Sequence, residues 1–354
     1  MNQTYEYPPI EQIVTGDGTK QHVLVVASET SPATRLIYEI PFRVLSVLSV
    51  SSGMEFCWRS IPEYRLKLED LQDINILILY RCIQDSTLSL ARFARLIHIK
   101  VIYELDDDLL EPPENESWGQ RYRTSHLSQI IQMFLAEVDL VKAGSPELAG
   151  RLKKKGYQAV YQPYTANICD LPIVDTTKLP YRVGYFGSPH HQNDIELIFS
   201  DLMALKELFQ EKIEFEFIGC YPRDWQQLEA GIFPYQPDYE LFLKFLAGRC
   251  WSLGLAPLRR TSFNEAKSNS KFRDYTAAGV LGIYADLPPY RDSIRDGQNG
   301  WLVKDSSESW YEIIEKALLC VERSAMLQRA RELLQAAYSP ETVALNWVTL
   351  FRDI

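Results

Sequence analysis

Apolar runs of strand length alternate with stretches of helical period along almost the whole chain. That alternation is the pattern of βαβ units stacked into parallel sheets with helices on both faces. In the first half it predicts strands over 22–28 (HVLVVAS), 74–80 (INILILY), 100–104 (KVIYE) and 140–143, with helices over 36–50, 86–97 and 125–138 between them. A further helix opens at Ser145, Pro146 and Glu147, where a serine cap precedes proline in the first helical position.

Near Gly156 the pattern breaks. Pro163, Pro172 and Pro180 punctuate a stretch of little periodicity, which marks a linker. The second half then repeats the logic: a strand over 182–186, the turn Gly187, Ser188 and Pro189, and a helix whose Ile195, Ile198, Leu202, Leu205 and Phe209 follow spacings of three and four. Strands follow over 214–218, 251–256 and 280–285, with helices over 239–247, 271–278, 309–321 and 325–337 and a last amphipathic helix over 340–351. The expected organisation is two Rossmann-like α/β domains, 1–168 and 169–338, with a C-terminal helix in 339–354 that crosses back to the first. Such a pair faces across a cleft at the carboxyl edges of its sheets, where open parallel sheets bind ligands.

Composition narrows the class. The 354 residues carry a net charge of −10, with 46% hydrophobic and 12% aromatic residues, which excludes a disordered or collagenous chain. The acidic balance argues against a nucleic-acid partner, and the basic run at 151–155 reads as a solvated helix end. The uncharged, mainly apolar stretches 44–54 and 275–285 fall short of the roughly 20 apolar residues that a membrane helix needs. No secretory leader is visible at the N-terminus, so a cytoplasmic protein is expected. Six scattered cysteines without a CxxC pair read as reduced thiols.

The densest loop is 257–274 (PLRRTSFNEAKSNSKFRD), which follows an apolar strand and runs into a helix ended by Gly279. Ser268, Asn269 and Ser270 gather at the helix start, where free backbone N–H groups suit a phosphate, and Lys267 and Lys271 add charge. Asp274, one turn on, is placed to accept both hydroxyls of a ribose diol. An ordinary capped helix with a surface Lys271 and Asp274 pair is the alternative.

Three segments in order, YRVGYFGSPHHQNDIELI, PLRRTSFNEAKSNSKFRDYTAAGV and ADLPPYRDSIRDGQNGWLV, resemble the donor-binding half of retaining GT-B glycosyltransferases of the group 1, family 4 type. The likeness runs from about Tyr181 onward. In the first half, YELDDDLLEPP and VKAGSPELAGRL resemble acceptor-domain segments of the same group. The resemblance implies transfer of a sugar from a nucleotide-sugar donor to a hydroxyl on a glycan, lipid-linked or protein acceptor. It also implies retained configuration, no cofactor or metal requirement, a place in surface polysaccharide or glycoconjugate assembly, and peripheral contact with the inner face of the membrane. The family's ribose carboxylate falls on Asp274, aspartate where glutamate is usual, and its earlier glutamate falls on Ala266, one place from Glu265. Gly187, Ser188, His190 and His191 replace the usual Arg and Lys of the first loop, so Lys267, Lys271, Arg259 or Arg260 must supply the charge on the diphosphate. The expected donor residues are Gly187, Ser188, His191, Lys267, Ser268, Asn269, Lys271 and Asp274. Catalytic roles are expected for Asp106, Asp108 and Lys271.

Two histidines on one strand-end loop, His190 and His191, suit a phosphate or sugar, or form a solvated turn before a helix capped by Asn193 or Asp194. No metal-ligand spacing joins them to other residues, so no zinc site is expected there. Asp106, Asp107 and Asp108 follow a strand and admit three readings: a DxD chelate of Mg²⁺ or Mn²⁺, a carboxylate that orients the acceptor hydroxyl, or a capped turn. The first βα loop lacks GxGxxG, which counts against a dinucleotide fold, and leaves Arg35 and Arg43 as candidates for phosphate. Two other classes stay open: an inactive GT-B-like binding subunit, and a nucleotide-sugar epimerase.

Overall fold

A computed structural model describes residues 20–28, 32–52, 55–114, 116–166, 179–304 and 309–354. The expected boundary at 168/169, Pro172, Cys169 and residues 29–31 of the first βα loop lie outside these residues. The chain divides into two compact units, Met1–Thr165 with Pro340–Ile354, and Ala166–Ser339.

The first unit holds six parallel strands: β1 (Gln21–Ala27), β2 (Phe56–Pro62), β3 (Ile76–Tyr80), β4 (Lys100–Leu105), β5 (Leu140–Ala143) and β6 (Ala159–Tyr161). They lie in the order β2-β1-β3-β4-β5-β6, so the strand order reverses between β1 and β3. All five residues of β3 are buried, as expected of a strand covered on both faces. The longer helices are α1 (Ile40–Ser52), α2 (Asp85–Leu96), α3 (Ser125–Glu137) and α4 (Pro146–Lys154), the last capped by Ser145, whose Oγ accepts from the Leu148 N–H at 3.1 Å.

The second unit holds β7 (Tyr181–Phe186), β8 (Ile213–Ile218), β9 (Gly231–Phe233), β10 (Leu253–Ala256), β11 (Gly282–Ala285) and β12 (Trp301–Val303). The order is β12-β11-β10-β7-β8-β9. Counted from the unit's own first strand this is 6-5-4-1-2-3, the doubly wound dinucleotide-fold order, whose switch point lies between β7 and β10. Its longer helices are α5 (Phe199–Phe209), α6 (Tyr239–Gly248), α7 (Ser270–Ala277), α8 (Trp310–Leu319) and α9 (Arg323–Tyr338). Gly184 of β7 is required by close packing, because a Cβ there would stand 2.0 Å from the Trp251 ring.

The final helix, α10 (Pro340–Asp353), packs on α1 of the first unit. Trp347 is fully buried against Tyr38 and Phe42, and its Nε1 donates to the Ile37 carbonyl at 3.2 Å. Beneath it an ion pair joins neighbouring strands: Lys142 Nζ lies 2.6 Å from Glu104 Oε1, and Tyr38 donates to the other oxygen at 2.5 Å. Lys142 also sits 4.9 Å from the centre of the Trp347 ring. Among the described residues no helix is long and apolar enough to cross a membrane.

Two local expectations change. The helix over 195–209 is two pieces, Gln192–Glu196 and α5, following a short 3-10 turn at Pro189–His191. The helix expected from Leu36 begins as a π-helical turn, Arg35–Glu39, before α1. The same segment leaves Arg43 exposed, 3.9 Å from Glu39.

Candidate functional site

In a sheet of this order the ligand-binding crevice lies beyond the carboxyl ends of the strands at the switch point. Here those ends are Phe186 of β7 and Ala256 of β10. The loop after β7 carries Gly187, Ser188 and His191, and the loop after β10 carries Arg259, Lys267 and Ser268 before α7 presents Lys271 and Asp274. The topology therefore brings together the two segments in which all eight donor residues were expected.

Lys271 is the centre of this group. Its ammonium donates to the Phe186 carbonyl at 2.8 Å and lies 4.8 and 4.7 Å from the centres of the Tyr185 and Phe186 rings. The residue is only 7% exposed. Burial pulls its pKa down from 10.5 to about 8; Lys267 acts in the same direction, while the nearby Asp194 opposes it. The buried thiol of Cys220 is pushed up to about 11, mainly by desolvation.

Asp194 was expected only as a possible helix cap. It is 2% exposed and ties the two loops together. Its Oδ2 accepts from His191 Nδ1 at 2.8 Å, and its Oδ1 accepts from the Arg259 backbone N–H at 3.0 Å and from Arg259 Nε at 3.4 Å. Against the cost of burial, these donors hold its pKa below the ordinary value, so it is a carboxylate at neutral pH. A carboxylate only accepts, which fixes the His191 proton on Nδ1 and leaves Nε2 as a lone pair. Burial, with Lys267 adding to it, lowers the His191 pKa to about 4, so the ring is neutral near pH 7.

Asp274 is buried and its pKa is raised, chiefly by desolvation. Its Oδ1 accepts from the Tyr239 hydroxyl of α6 at 2.6 Å, the one hydrogen bond its carboxylate makes among the described residues. Lys267 lies 4.8 Å from the centre of the Phe263 ring. Asn269 is turned inward: its Nδ2 donates to Ser293 Oγ and Tyr338 OH, both at 2.7 Å, and its Oδ1 accepts from Arg273 Nε at 3.2 Å. Its side chain holds the start of α7 to the unit's core, so a ligand at that turn would meet its backbone. Ala266 is fully buried, and Glu265 faces Arg260 at 3.5 Å. Gly187 packs closely on the loop after β8, where Gly219 adopts φ +76° and a Cβ would stand 2.5 Å from the Gly187 carbonyl.

The acidic cluster of the first unit follows β4. Asp106 accepts from Tyr80 OH at 2.7 Å and from Arg81 Nε, and Asp107 accepts from Arg81 at 2.6 Å. Asp108 is buried, its pKa raised by desolvation, with Arg151 at 3.5 Å and the Leu110 N–H at 3.3 Å. Arginine charge and backbone donors thus occupy these carboxylates.

No known family model matches the chain. No curated protein is similar to it in sequence. Solved structures are similar in fold. HepE of Anabaena, in complex with UDP and glucose, aligns over 94% of this chain and 99% of its own with a TM-score of 0.64 at 10% identity. Sucrose-phosphate synthase of Thermosynechococcus elongatus aligns over 94% and 99% with a TM-score of 0.62 at 12% identity. A glycosyltransferase of Rickettsia africae aligns over 94% and 98% with a TM-score of 0.62 at 11% identity. With two six-stranded parallel sheets flanked by helices, the chain has the fold of the GT-B glycosyltransferases, two Rossmann-like domains in one polypeptide.

Proposed function

We propose that the chain is a glycosyltransferase that takes a sugar from a nucleoside diphosphate donor and passes it to a hydroxyl acceptor. The observation that carries this reading is Lys271, a buried ammonium held at the switch point of the second sheet by the Phe186 carbonyl. A buried cation is costly, and that cost has a use where negative charge develops on a leaving diphosphate. Lys267 adds a second cation, and the backbone N–H groups of Ser268 and Asn269 open α7 beside it. His191 offers a neutral acceptor to a sugar hydroxyl, and Asp274 accepts from the donor ribose. UDP is the first nucleotide to try, because HepE, similar in fold, is found in complex with UDP and with UDP-glucose.

On this reading the two lysines neutralise the diphosphate and the reaction calls for no chelated metal. The transfer retains configuration by attack on the face from which the diphosphate departs, with a phosphate oxygen receiving the acceptor proton. We assign acceptor binding to the first unit, with Asp106, held in place by Tyr80 and Arg81, as the carboxylate that orients the hydroxyl. The product belongs to surface polysaccharide or glycoconjugate assembly on the cytoplasmic side of a membrane.

The test is a thermal-shift screen of UDP, GDP, dTDP and their sugar conjugates, with and without EDTA, on the wild type and Lys271→Ala. One nucleotide should stabilise the wild type regardless of EDTA, by about 2.7 kcal/mol at 100 times its dissociation constant, and should leave Lys271→Ala unmoved. Silence from every nucleotide would sink the reading and favour a binding subunit. Conversion of a nucleotide sugar without any acceptor would favour an epimerase.

A further inference from the structure

At the opposite, N-terminal edge of the first sheet lies a group of side chains that the proposed reaction does not use. His22 is the second residue of β1 and stands in register with Cys57, the second residue of the edge strand β2. Glu55 is two residues before Cys57, so both point to the same face of the sheet. A ring nitrogen of His22, a carboxylate oxygen of Glu55 and the sulfur of Cys57 all lie within 4.8 Å of one another. This is the one group of histidine, cysteine and carboxylate ligands so close among the described residues.

The hydrogen bonds of His22 define the chemistry. Its Nδ1 is 2.7 Å from the Asp73 carbonyl oxygen, which only accepts, so Nδ1 carries a hydrogen and the ring is held in place. Its Nε2 then faces Glu55 Oε1 at 3.0 Å, a second acceptor. Between Nε2 and that carboxylate the structure calls for a proton or a cation. We propose that His22 Nε2, Glu55 and Cys57 Sγ form a binding site for a zinc-class divalent ion, with a fourth position open to water.

The ligand set selects the ion. Imidazole and thiolate suit zinc and its neighbours, whereas Mg²⁺ and Ca²⁺ take oxygen ligands. A carboxylate and a thiolate balance the two positive charges. A ligating histidine whose other N–H donates to a backbone carbonyl is the usual support for such a site, and Asp73 supplies that carbonyl. Binding expels the thiol proton to solvent. Lys20, 3.0 Å from Glu55 Oε2, competes for the carboxylate. The bound ion would clamp the edge strand β2 to β1.

The test uses the full chain, with Zn²⁺ measured by competition against a chromophoric chelator and Co²⁺ as an optical probe of thiolate ligation. One equivalent should bind, with a thiolate-to-cobalt charge-transfer band. Cys57→Ser should abolish the band and weaken Zn²⁺ by about tenfold or more, and His22→Gln should weaken it comparably. Lys20→Ala should tighten binding, and Cys250→Ser should leave it unchanged. Circular dichroism would verify that each variant is folded, as their positions near the surface favour. Failure to take up an equivalent, or uptake indifferent to both Cys57→Ser and His22→Gln, would overturn the proposal. Neither outcome bears on the nucleotide site, which the thermal-shift screen reads separately.

Discussion

Lys271 is the side chain whose burial can be measured without knowing any substrate. An ordinary lysine titrates at 10.5, and this one is held at about 8, so keeping it charged at neutral pH costs about 3 kcal/mol. Between those two values the unfolded chain binds more protons than the folded one, and stability must therefore rise with pH. From about pH 7 to about pH 10 the gain from this one group is about 2.5 kcal/mol. Lys271→Met also removes the hydrogen bond to the Phe186 carbonyl and the ring contacts, so its absolute stability is a mixture of effects. The pH dependence is not mixed, because methionine does not titrate. Urea denaturation of both proteins at several pH values gives the difference directly. The wild type should gain on Lys271→Met by about 2.5 kcal/mol across that range. A difference that stays flat to pH 10 would mean that Lys271 titrates as an exposed lysine, and the argument for a strained cation at the switch point would fail. A bound diphosphate should raise the Lys271 pKa, so nucleotide binding near pH 8.5 should take up protons, seen as buffer-dependent heats in calorimetry.

Asp194→Asn should free the His191 tautomer and release the loop that carries Arg259, weakening nucleotide binding by about 1 to 3 kcal/mol in calorimetry; unaltered affinity would show that the two loops need no tie. Glu104→Gln strands a buried ammonium at Lys142 and should cost about 3 to 5 kcal/mol in denaturant unfolding of the first unit; a loss under 1 kcal/mol would contradict the ion pair. Gly184→Ala places a Cβ inside the Trp251 ring and should give insoluble or strongly destabilised protein, whereas a wild-type melting curve would refute the packing.

The central strands were legible because burial on both faces writes them as continuous apolar runs, as in 74–80 and 22–28. The strands that escaped are short or at edges: β6, β9 and β12 span three residues each, and β2 carries exposed Arg59 and Ser60 in a half-buried pattern. The helix start with Lys271 and Asp274 could be read because its residues are neighbours in sequence. Asp194 could not, since its partners include Arg259, 65 residues away, and only the pairing of β7 with β10 brings the two together. The inward turn of Asn269 has the same origin, as its partners Ser293 and Tyr338 come from later in the chain. The spacing of His191 and Asp194 was the one local signal of the tie between them. The trio of His22, Glu55 and Cys57 depends on strand register, which no local pattern of residues records.

The first unit is interrupted in sequence: the second is inserted between residue 165 and residue 340. Trp347 and Phe351 complete the aromatic packing around Phe42, so during synthesis the second unit can emerge whole and close while the first still waits for its last helix. Until residues 340–354 leave the ribosome, the face of α1 that α10 covers stays open to solvent and to chaperones. Translation thus sets an order of completion opposite to the order of the sequence, and a nonsense mutation anywhere in α10 would leave the earlier-made unit unfinished while sparing the later one.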